Sequence, residues 1–442
     1  MTAISRKKVN YRDIIRNISK EFKKNCQHQF NLSLSDGYTI TSRKSTVENI
    51  EYHQDTSLAV TVYNDYKKGT AITNNLSSDS IRKTIEKAEY ISKHTQPDIC
   101  QGLPDSNYTN DDWKDLGIFY PNELKIDSVI EMTNDCESEA FKYDKRISNS
   151  EGSTFSYSNS ENILINSAGA YGSFNTTDYS LSCIALAEEN KLMERDYWYS
   201  SSHDFNKLES SQHIGTKAAS RVLSRLGAKT IKTQSCPVLF SPEMSQSIIS
   251  NFLSAIDGSA IYKKSSFLLN KLNERIFPEF LNIYEEPLLE DGPATRPYDS
   301  DGVLTINKDI VKDGLLKTYL LDTYASRKLD MKCTGNGVLT NITINTSQPL
   351  IPDILTTIEN GIYITDMMGS GANTLTGDYS RGAFGYLIRN GQIIHPVTEI
   401  TVASNLLQMF QNITELGDDI DYRNRIRTGS ILINNITIGG TN

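Results

Sequence analysis

The chain has 442 residues, which is more than one ordinary hydrophobic core serves, so we expect two or three domains. Its apolar content is 38%, its charged content is 22%, and no apolar run approaches the 18 residues of a membrane-spanning helix, so a membrane partner is not expected. The formal net charge is −9 and the basic runs are short, so nucleic acid is not expected as a partner either.

The first third of the chain predicts an antiparallel sheet with helices packed on it. Its N-terminus is amphipathic and lacks an apolar signal core, which favours a cytoplasmic location. Apolar residues spaced three to four apart predict helices, and alternating apolar residues predict half-buried strands. In chain order, we expect a helix over 10–25, a strand from Phe30 to Leu34, a hairpin turning between Asn64 and Gly69, and helices over 79–93 and 124–143.

Residues 147–200 predict a β-meander, because short alternating runs are broken by glycine-rich and asparagine-rich turns. Its aromatic residues either pack on the helices or form a binding face. A helix over about 208–226 follows, with Gly227 as its C-terminal stop. We therefore divide the chain into an N-terminal α+β domain, 1–228, with subregions of about 1–95 and 122–228, and a C-terminal domain, 229–442.

The C-terminal domain predicts mostly strands. Asp313-Gly314 and Asn390-Gly391 each suit a tight hairpin turn between apolar runs, and "TGSILINNITIGG" alternates as a final strand. The predicted fold class is thus α+β: an antiparallel sheet with helices, followed by a β-rich, barrel-like domain.

The segment "CPVLFSPEMSQSIISNFLSAIDG" predicts a strand, a turn and a mostly buried helix that ends at Gly258. Ser241, Pro242 and Glu243 suit ordinary helix initiation, with Glu243 as a general base the weaker alternative. Hydrolytic zinc sites often lie on such a helix, but this one has no histidine. The six cysteines form no CxxC pair and no two histidines lie within five residues, so only a site assembled from distant segments stays open.

Six glycines punctuate the stretch from Thr365 to Gly391, which lacks the patterns of phosphate and dinucleotide loops. Such a stretch can let a peptide backbone approach closely, or it can form a tight β-corner, and the sequence leaves both open. The candidate substrate-binding residues are Gly377, Asp378, Tyr379, Arg381 and Gly382. The segment "EENKLMERDYWY" suits an exposed hairpin tip or a subunit contact better than catalysis.

Several segments, in order along nearly the whole chain, resemble the TldD/PmbA family, and within it the PmbA (TldE) branch. They include "VENIEYHQDTSLAVTVYNDYKKGTAITNNLS", "AEENKLMERDYWY", "SAIYKKSSFLL" and "TGDYSRGAFGYLIRNGQIIHPVTEITVASNL". The resemblance implies a subunit of a heterodimeric metalloprotease that trims unfolded and leader peptides. In this family the TldD-type partner carries zinc on a helix with the pattern HExxxH, together with a cysteine near its C-terminus.

Aligning that zinc helix through "IYKKS" places the two histidines at Ser250 and Ala255 and the glutamate at Asn251. None of the three can perform the role, and no cysteine follows Cys333. The resemblance therefore implies no catalytic residue and no metal in this chain, zinc in a TldD-type partner, extended peptides as substrates, and a possible homodimer when the chain is alone. Two alternatives remain: a protein-binding regulator of the gyrase-modulator type that needs no peptidase partner, and a self-sufficient hydrolase with a dispersed site.

Overall fold

The structure is a computed structural model, which describes Ile15 and residues 26–105, 116–345 and 349–441. Apart from Ile15, the helix expected over 10–25 lies outside these residues. In the described part of the chain, no helix is both long and apolar enough to cross a membrane.

An antiparallel half-barrel sheet of six strands, ordered β3-β2-β1-β4-β5-β6, dominates the first half of the chain. Its elements and their helices are β1 (Gln27–Arg43), β2 (Thr46–Asn64), β3 (Lys67–Thr73), α1 (Ser78–His94), α2 (Ile126–Tyr143), β4 (Ile147–Asn166), β5 (Tyr171–Glu189), β6 (Leu192–Ser202), a 3₁₀ turn (Phe205–Lys207) and α3 (Ser211–Arg225).

The alternating strands bury one face beneath these helices, as their pattern predicts. Helix α1 covers β2 and β3, while α2 and α3 cover the strands from β4 to β6. Phe155 and Tyr179 are fully buried in the core under α2 and α3, so these two aromatic residues of the meander pack rather than form a binding face. Ser77 and Ser210 cap α1 and α3 through side-chain oxygens that accept backbone N–H groups.

The second half of the chain is rich in short elements. They are β7 (Gln234–Phe240), α4 (Pro242–Ala255), α5 (Gly258–Tyr262), β8 (Ile283–Glu285), β9 (Lys308–Lys312), β10 (Leu315–Leu316), α6 (Thr323–Leu329), β11 (Ile342–Ile344), α7 (Ile351–Thr356), β12 (Asn360–Met368), β13 (Asp378–Arg389), β14 (Gln392–Asn405), α8 (Leu406–Gln411), β15 (Ile413–Leu416), β16 (Ile426–Arg427) and β17 (Ile431–Gly439).

Five of these strands close into a barrel in the order β14-β13-β12-β7-β17, because β17 also pairs with β14. A smaller sheet, β10-β9-β8-β11-β16, belongs to the same half of the chain. Helix α4 buries Ile248, Ile249 and Phe252 in one core with the barrel strands. The expected α+β class with a barrel-like C-terminal region is confirmed.

The predicted turns form where their residues allow a left-handed backbone. Asn390 and Gly391 have φ of 47° and 77°, and Asp313 and Gly314 have φ of 52° and 73°. Gly227, with φ of 74°, follows α3 as expected. The expectation that Gly258 ends the helix after β7 is wrong, because α4 ends at Ala255 and the Asp257 side chain caps the short helix α5, in which Gly258 is the first residue.

Candidate functional site

Helix α4 presents a polar stripe on the side that faces away from its buried residues. Glu243, Ser247, Ser250 and Ser254 are spaced four, three and four residues apart, so they lie along one face. Ser241 occupies the N-cap position as expected, although its side chain makes no capping hydrogen bond. Within this polar stripe, Ser250 and Ser254 are the exposed residues.

The three positions that align with the zinc motif occupy different environments. Ser250 is exposed on the polar stripe, whereas Ala255 is fully buried in the core. The Asn251 side chain donates its amide N–H to the Ser247 carbonyl oxygen at 3.0 Å. The methyl group of Ala255 offers no ligand atom, so the residues present on this helix do not fit a zinc ion.

A cavity of about 690 Å³ opens beside Ser250 and Ser254. Its walls come from four segments that are far apart in sequence: the end of α4, the region around α5, residues 336–339, and residues 373–375 of the glycine-rich stretch. Leu320 and Arg425 complete the lining. Among the described residues, neither a histidine nor a cysteine lines this cavity. Its serine hydroxyls therefore have no histidine beside them, and the one adjacent carboxylate, Asp257, caps the start of α5. The arrangement suits binding rather than catalysis.

The structure divides the candidate residues of the glycine-rich stretch between two environments. Asp378 is exposed and accepts a hydrogen bond from Thr376 Oγ1 at 2.7 Å, whereas Tyr379 is buried and its hydroxyl donates to Met367 Sδ at 3.0 Å. Arg381 points toward α4, where its Nη1 and Nη2 donate to Ser247 Oγ at 2.8 Å and to the Met367 carbonyl oxygen at 3.0 Å. Asp378 and Arg381 thus do not pair with each other.

Residues 369–376, which we call the glycine loop, fold back on the start of β13. The Ser380 N–H donates to the Gly371 carbonyl oxygen at 2.8 Å, and a Cβ atom at Gly371 would lie 1.7 Å from the Ser380 carbonyl oxygen. Gly377 has φ of 81°, whereas a Cβ atom at Gly382 would make only ordinary contacts. This backbone packing has the form of a tight β-corner, and it holds Asn373, Thr374 and Leu375 in the cavity wall.

A buried ion network, which the sequence did not reveal, joins the half-barrel sheet to the N-terminus of α4. Glu243 accepts from Arg221 Nη1 at 3.1 Å and from Arg423 Nη2 at 3.5 Å, so it has a partnered structural role. Arg221 also pairs with Asp196 on β6 at 3.2 Å. The Arg423 guanidinium stacks 3.9 Å from the centroid of the Trp198 ring.

The segment "EENKLMERDYWY" therefore has two roles. Asn190 and Lys191 form the expected exposed hairpin turn, and Leu192 and Met193 beside it are exposed. At its other end, Trp198 and Tyr199 are instead packed against Arg423 within the same chain. The only sequence signal for this contact was the close spacing of aromatic and charged residues.

His203 forms a second contact between the two halves of the chain. It is buried, with Nδ1 at 2.7 Å from the Thr177 carbonyl oxygen and 3.2 Å from Asp178 Oδ1, and Nε2 at 3.2 Å from the Gly292 carbonyl oxygen. Burial lowers the pKa of His203, but the hydrogen bond and charge of Asp178, with the two carbonyl groups, outweigh it and raise the pKa above its ordinary value. Both ring nitrogens face acceptors, which favours the doubly protonated ring.

We expect this histidine to make folding stability pH-dependent. The contribution of a group with a raised folded-state pKa is complete below its unfolded pKa, about 6.5 for histidine, and is lost as pH rises through the folded-state pKa. Melting temperatures measured from about pH 5.5 to 8.5 should fall more steeply with pH in the wild type than in His203→Gln. His213→Gln, at an exposed histidine, is the control. Parallel curves for wild type and His203→Gln would contradict this assignment.

Sequence and structure comparisons agree on what this chain is similar to. Profiles of PmbA/TldA metallopeptidase domains match residues 33–92 (domain 1), 119–226 (central domain) and 233–440 (C-terminal domain). "Metalloprotease PmbA" of Escherichia coli O157:H7 is 38% identical over 410 residues, covering 92% of this chain and 91% of the relative.

Two crystal structures share the fold over nearly their whole length. A proposed modulator of DNA gyrase from Bacteroides thetaiotaomicron has a TM-score of 0.91 and 28% identity, with 98% of each chain covered. TldE from Thermococcus kodakarensis has a TM-score of 0.84 and 18% identity, with 97% of this chain and 100% of that chain covered. At 18% identity, the similarity to this TldE shows a shared fold and nothing more.

Proposed function

Because the chain belongs to the PmbA/TldD metallopeptidase family, we propose that it is the PmbA- or TldE-type subunit of a heterodimeric metalloprotease that degrades or trims unfolded and leader peptides. One observation carries the proposal: the α4 residues that align with the family's zinc motif, Ser250, Asn251 and Ala255, offer no set of zinc ligands and no general base. The zinc and the hydrolytic chemistry then belong to a TldD-type partner subunit.

In this complex, the present chain contributes peptide binding. The cavity beside α4 is within the size range of ligand sites, and the glycine loop forms one of its walls. An extended peptide would pass along this loop and form backbone hydrogen bonds, with the exposed Asp378 within the region that it contacts. Tyr379 and Arg381 hold the strand that follows the loop in place, Gly377 supplies its left-handed turn, and Gly382 leaves space beside the strand.

We expect the purified chain alone to hydrolyse no peptide, and an equimolar mixture with a TldD-type subunit to hydrolyse an unfolded peptide at least about tenfold faster than either subunit alone. A chelator should abolish the activity of the mixture, because the nucleophilic water requires the partner's zinc. The measurement is release of a quenched fluorophore, with the partner plus heat-denatured chain as the control.

Two results would contradict the proposal. Chelator-sensitive hydrolysis by the chain alone would establish a dispersed metal site within it. A mixture no more active than the partner alone would favour a protein-binding regulator that needs no peptidase partner.

A further inference from the structure

The cavity beside α4 is lined by two cationic side chains, Lys263 and Arg425. In the part of the chain that the structure describes, neither of them forms an ion pair with a carboxylate, and Lys263 lies 5.6 Å from the centroid of the Tyr262 ring. The one carboxylate in the described lining is Asp257, whose Oδ1 accepts from the backbone N–H of Ser259 at 2.9 Å and from its hydroxyl at 2.5 Å. The lining therefore has an excess of positive charge.

The cavity also offers apolar surface next to this charge. Val338 and Leu339 are half-buried in its wall, and Leu375, from the glycine loop, is 57% exposed. Elsewhere in the chain, cationic side chains close to α4 are already engaged: Arg381 donates to Ser247, and Arg423 to Asp421. Lys263 and Arg425 thus stand out as charges left available beside an apolar surface.

We propose that this cavity binds the free C-terminal carboxylate of an extended peptide, with Lys263 and Arg425 contacting the carboxylate and Val338, Leu339 and Leu375 contacting an apolar last side chain. Capture of a terminal carboxylate is a recurrent mode of peptide recognition, and a guanidinium suits it because its N–H groups match the two carboxylate oxygens. The inference rests on the proposed function, since it names the substrate group that the peptide-binding chain recognises. It implies that peptides enter the complex with their C-terminal end held by this subunit.

The test measures binding to the purified chain by fluorescence anisotropy, with an N-terminally labelled peptide that ends in leucine. Two forms of the peptide are compared, one with a free C-terminal carboxylate and one with a C-terminal amide. We expect the acid to bind at least about tenfold more tightly than the amide, because the amide removes the charge that the two cations would contact. Arg425→Gln and Lys263→Gln should each weaken binding of the acid about tenfold and leave binding of the amide unchanged.

Matched controls and competitors separate this site from general anion binding. Arg389→Gln and Lys332→Gln remove exposed cations outside the cavity lining and should leave the affinity for the acid unchanged. N-acetyl-leucine should displace the labelled acid, whereas inorganic phosphate at the same concentration should not. Displacement by phosphate as effective as by N-acetyl-leucine would overturn the inference, because the site would then select charge and not a peptide terminus.

Failure of this inference is distinguishable from failure of the proposed function. Equal affinity for acid and amide overturns the carboxylate site, while peptide binding by this subunit stands. If neither peptide binds measurably to the chain, the proposed carboxylate site is overturned as well. Hydrolysis by the mixture with a TldD-type subunit then decides the proposed function independently.

Discussion

Replacement of Arg423 by alanine is expected to lower the free energy of unfolding by about 3–5 kcal/mol, because it removes one partner of a buried ion pair and leaves the other uncompensated. Arg423 donates Nε and Nη2 to the two carboxylate oxygens of Asp421 at 2.8 Å and 3.0 Å, and its Nη1 donates to the Tyr199 carbonyl oxygen at 3.1 Å. The Asp421 side chain is only 4% exposed, so solvent screens its charge weakly once the guanidinium is removed.

The expected loss has a second source in the aromatic contacts. The Arg423 guanidinium lies 3.9 Å from the centroid of the Trp198 ring and 4.4 Å from that of Tyr199, so alanine also removes cation–π contacts between the half-barrel sheet and the segment that joins β15 to β16. Arg423→Lys keeps the charge but not the planar guanidinium group. Its free energy of unfolding should therefore fall by less than that of Arg423→Ala. Urea unfolding followed by tryptophan fluorescence measures both variants, since Trp198 reports directly on this contact.

The control for Arg423→Ala is Arg389→Ala, at an exposed position on β13. This substitution should change the free energy of unfolding by no more than about 0.5 kcal/mol, as is usual for surface substitutions. A loss of less than about 1 kcal/mol in Arg423→Ala would show that the network does not hold the two halves of the chain together.

Much of the fold could be predicted because its signals are local. The hairpins at Asp313-Gly314 and Asn390-Gly391 depend on backbone conformations that asparagine, aspartate and glycine adopt readily, and α1 depends on a serine cap followed by an apolar periodicity. The first part of β2, from Thr46 to Thr56, was not predicted, because that stretch is largely polar and exposed. This stretch forms a strand because it pairs with β1, and such a pairing between strands cannot be read from the periodicity of one strand.

The candidate site was predictable only in part. The local strand–turn–helix pattern located α4, and the alignment of this helix to a zinc motif through "IYKKS" identified Ser250, which lies beside the cavity. Arg425 and residues 336–339 could not be placed there from the sequence, since they reach the cavity through the small sheet, where Ile342 pairs with Ile426. Ser250 and Arg425 lie on separate elements, and only the closed barrel and its neighbouring sheet bring them together.

Replacement of Gly371 by alanine is expected to weaken peptide binding about tenfold, or by about 1.4 kcal/mol, because it displaces the glycine loop from β13. The added Cβ would lie 1.7 Å from the Ser380 carbonyl oxygen, a separation that only a backbone shift can relieve. That shift breaks the hydrogen bond from the Ser380 N–H to the Gly371 carbonyl oxygen and moves Thr374 and Leu375, which line the cavity. Folding stability should fall by about 1–3 kcal/mol, with the barrel intact.

Gly369 provides the matched control for Gly371→Ala within the same loop. It has φ of 73°, and among the described residues no heavy atom beyond its chain neighbours lies within 4 Å of the position that a Cβ atom would take. Gly369→Ala therefore costs about 1 kcal/mol of backbone strain without a steric clash. Peptide affinity measured by anisotropy should stay near the wild-type value in Gly369→Ala and fall in Gly371→Ala. Wild-type affinity in both variants would mean that the loop is a structural β-corner only, since displacement of its backbone would then leave the bound peptide unaffected.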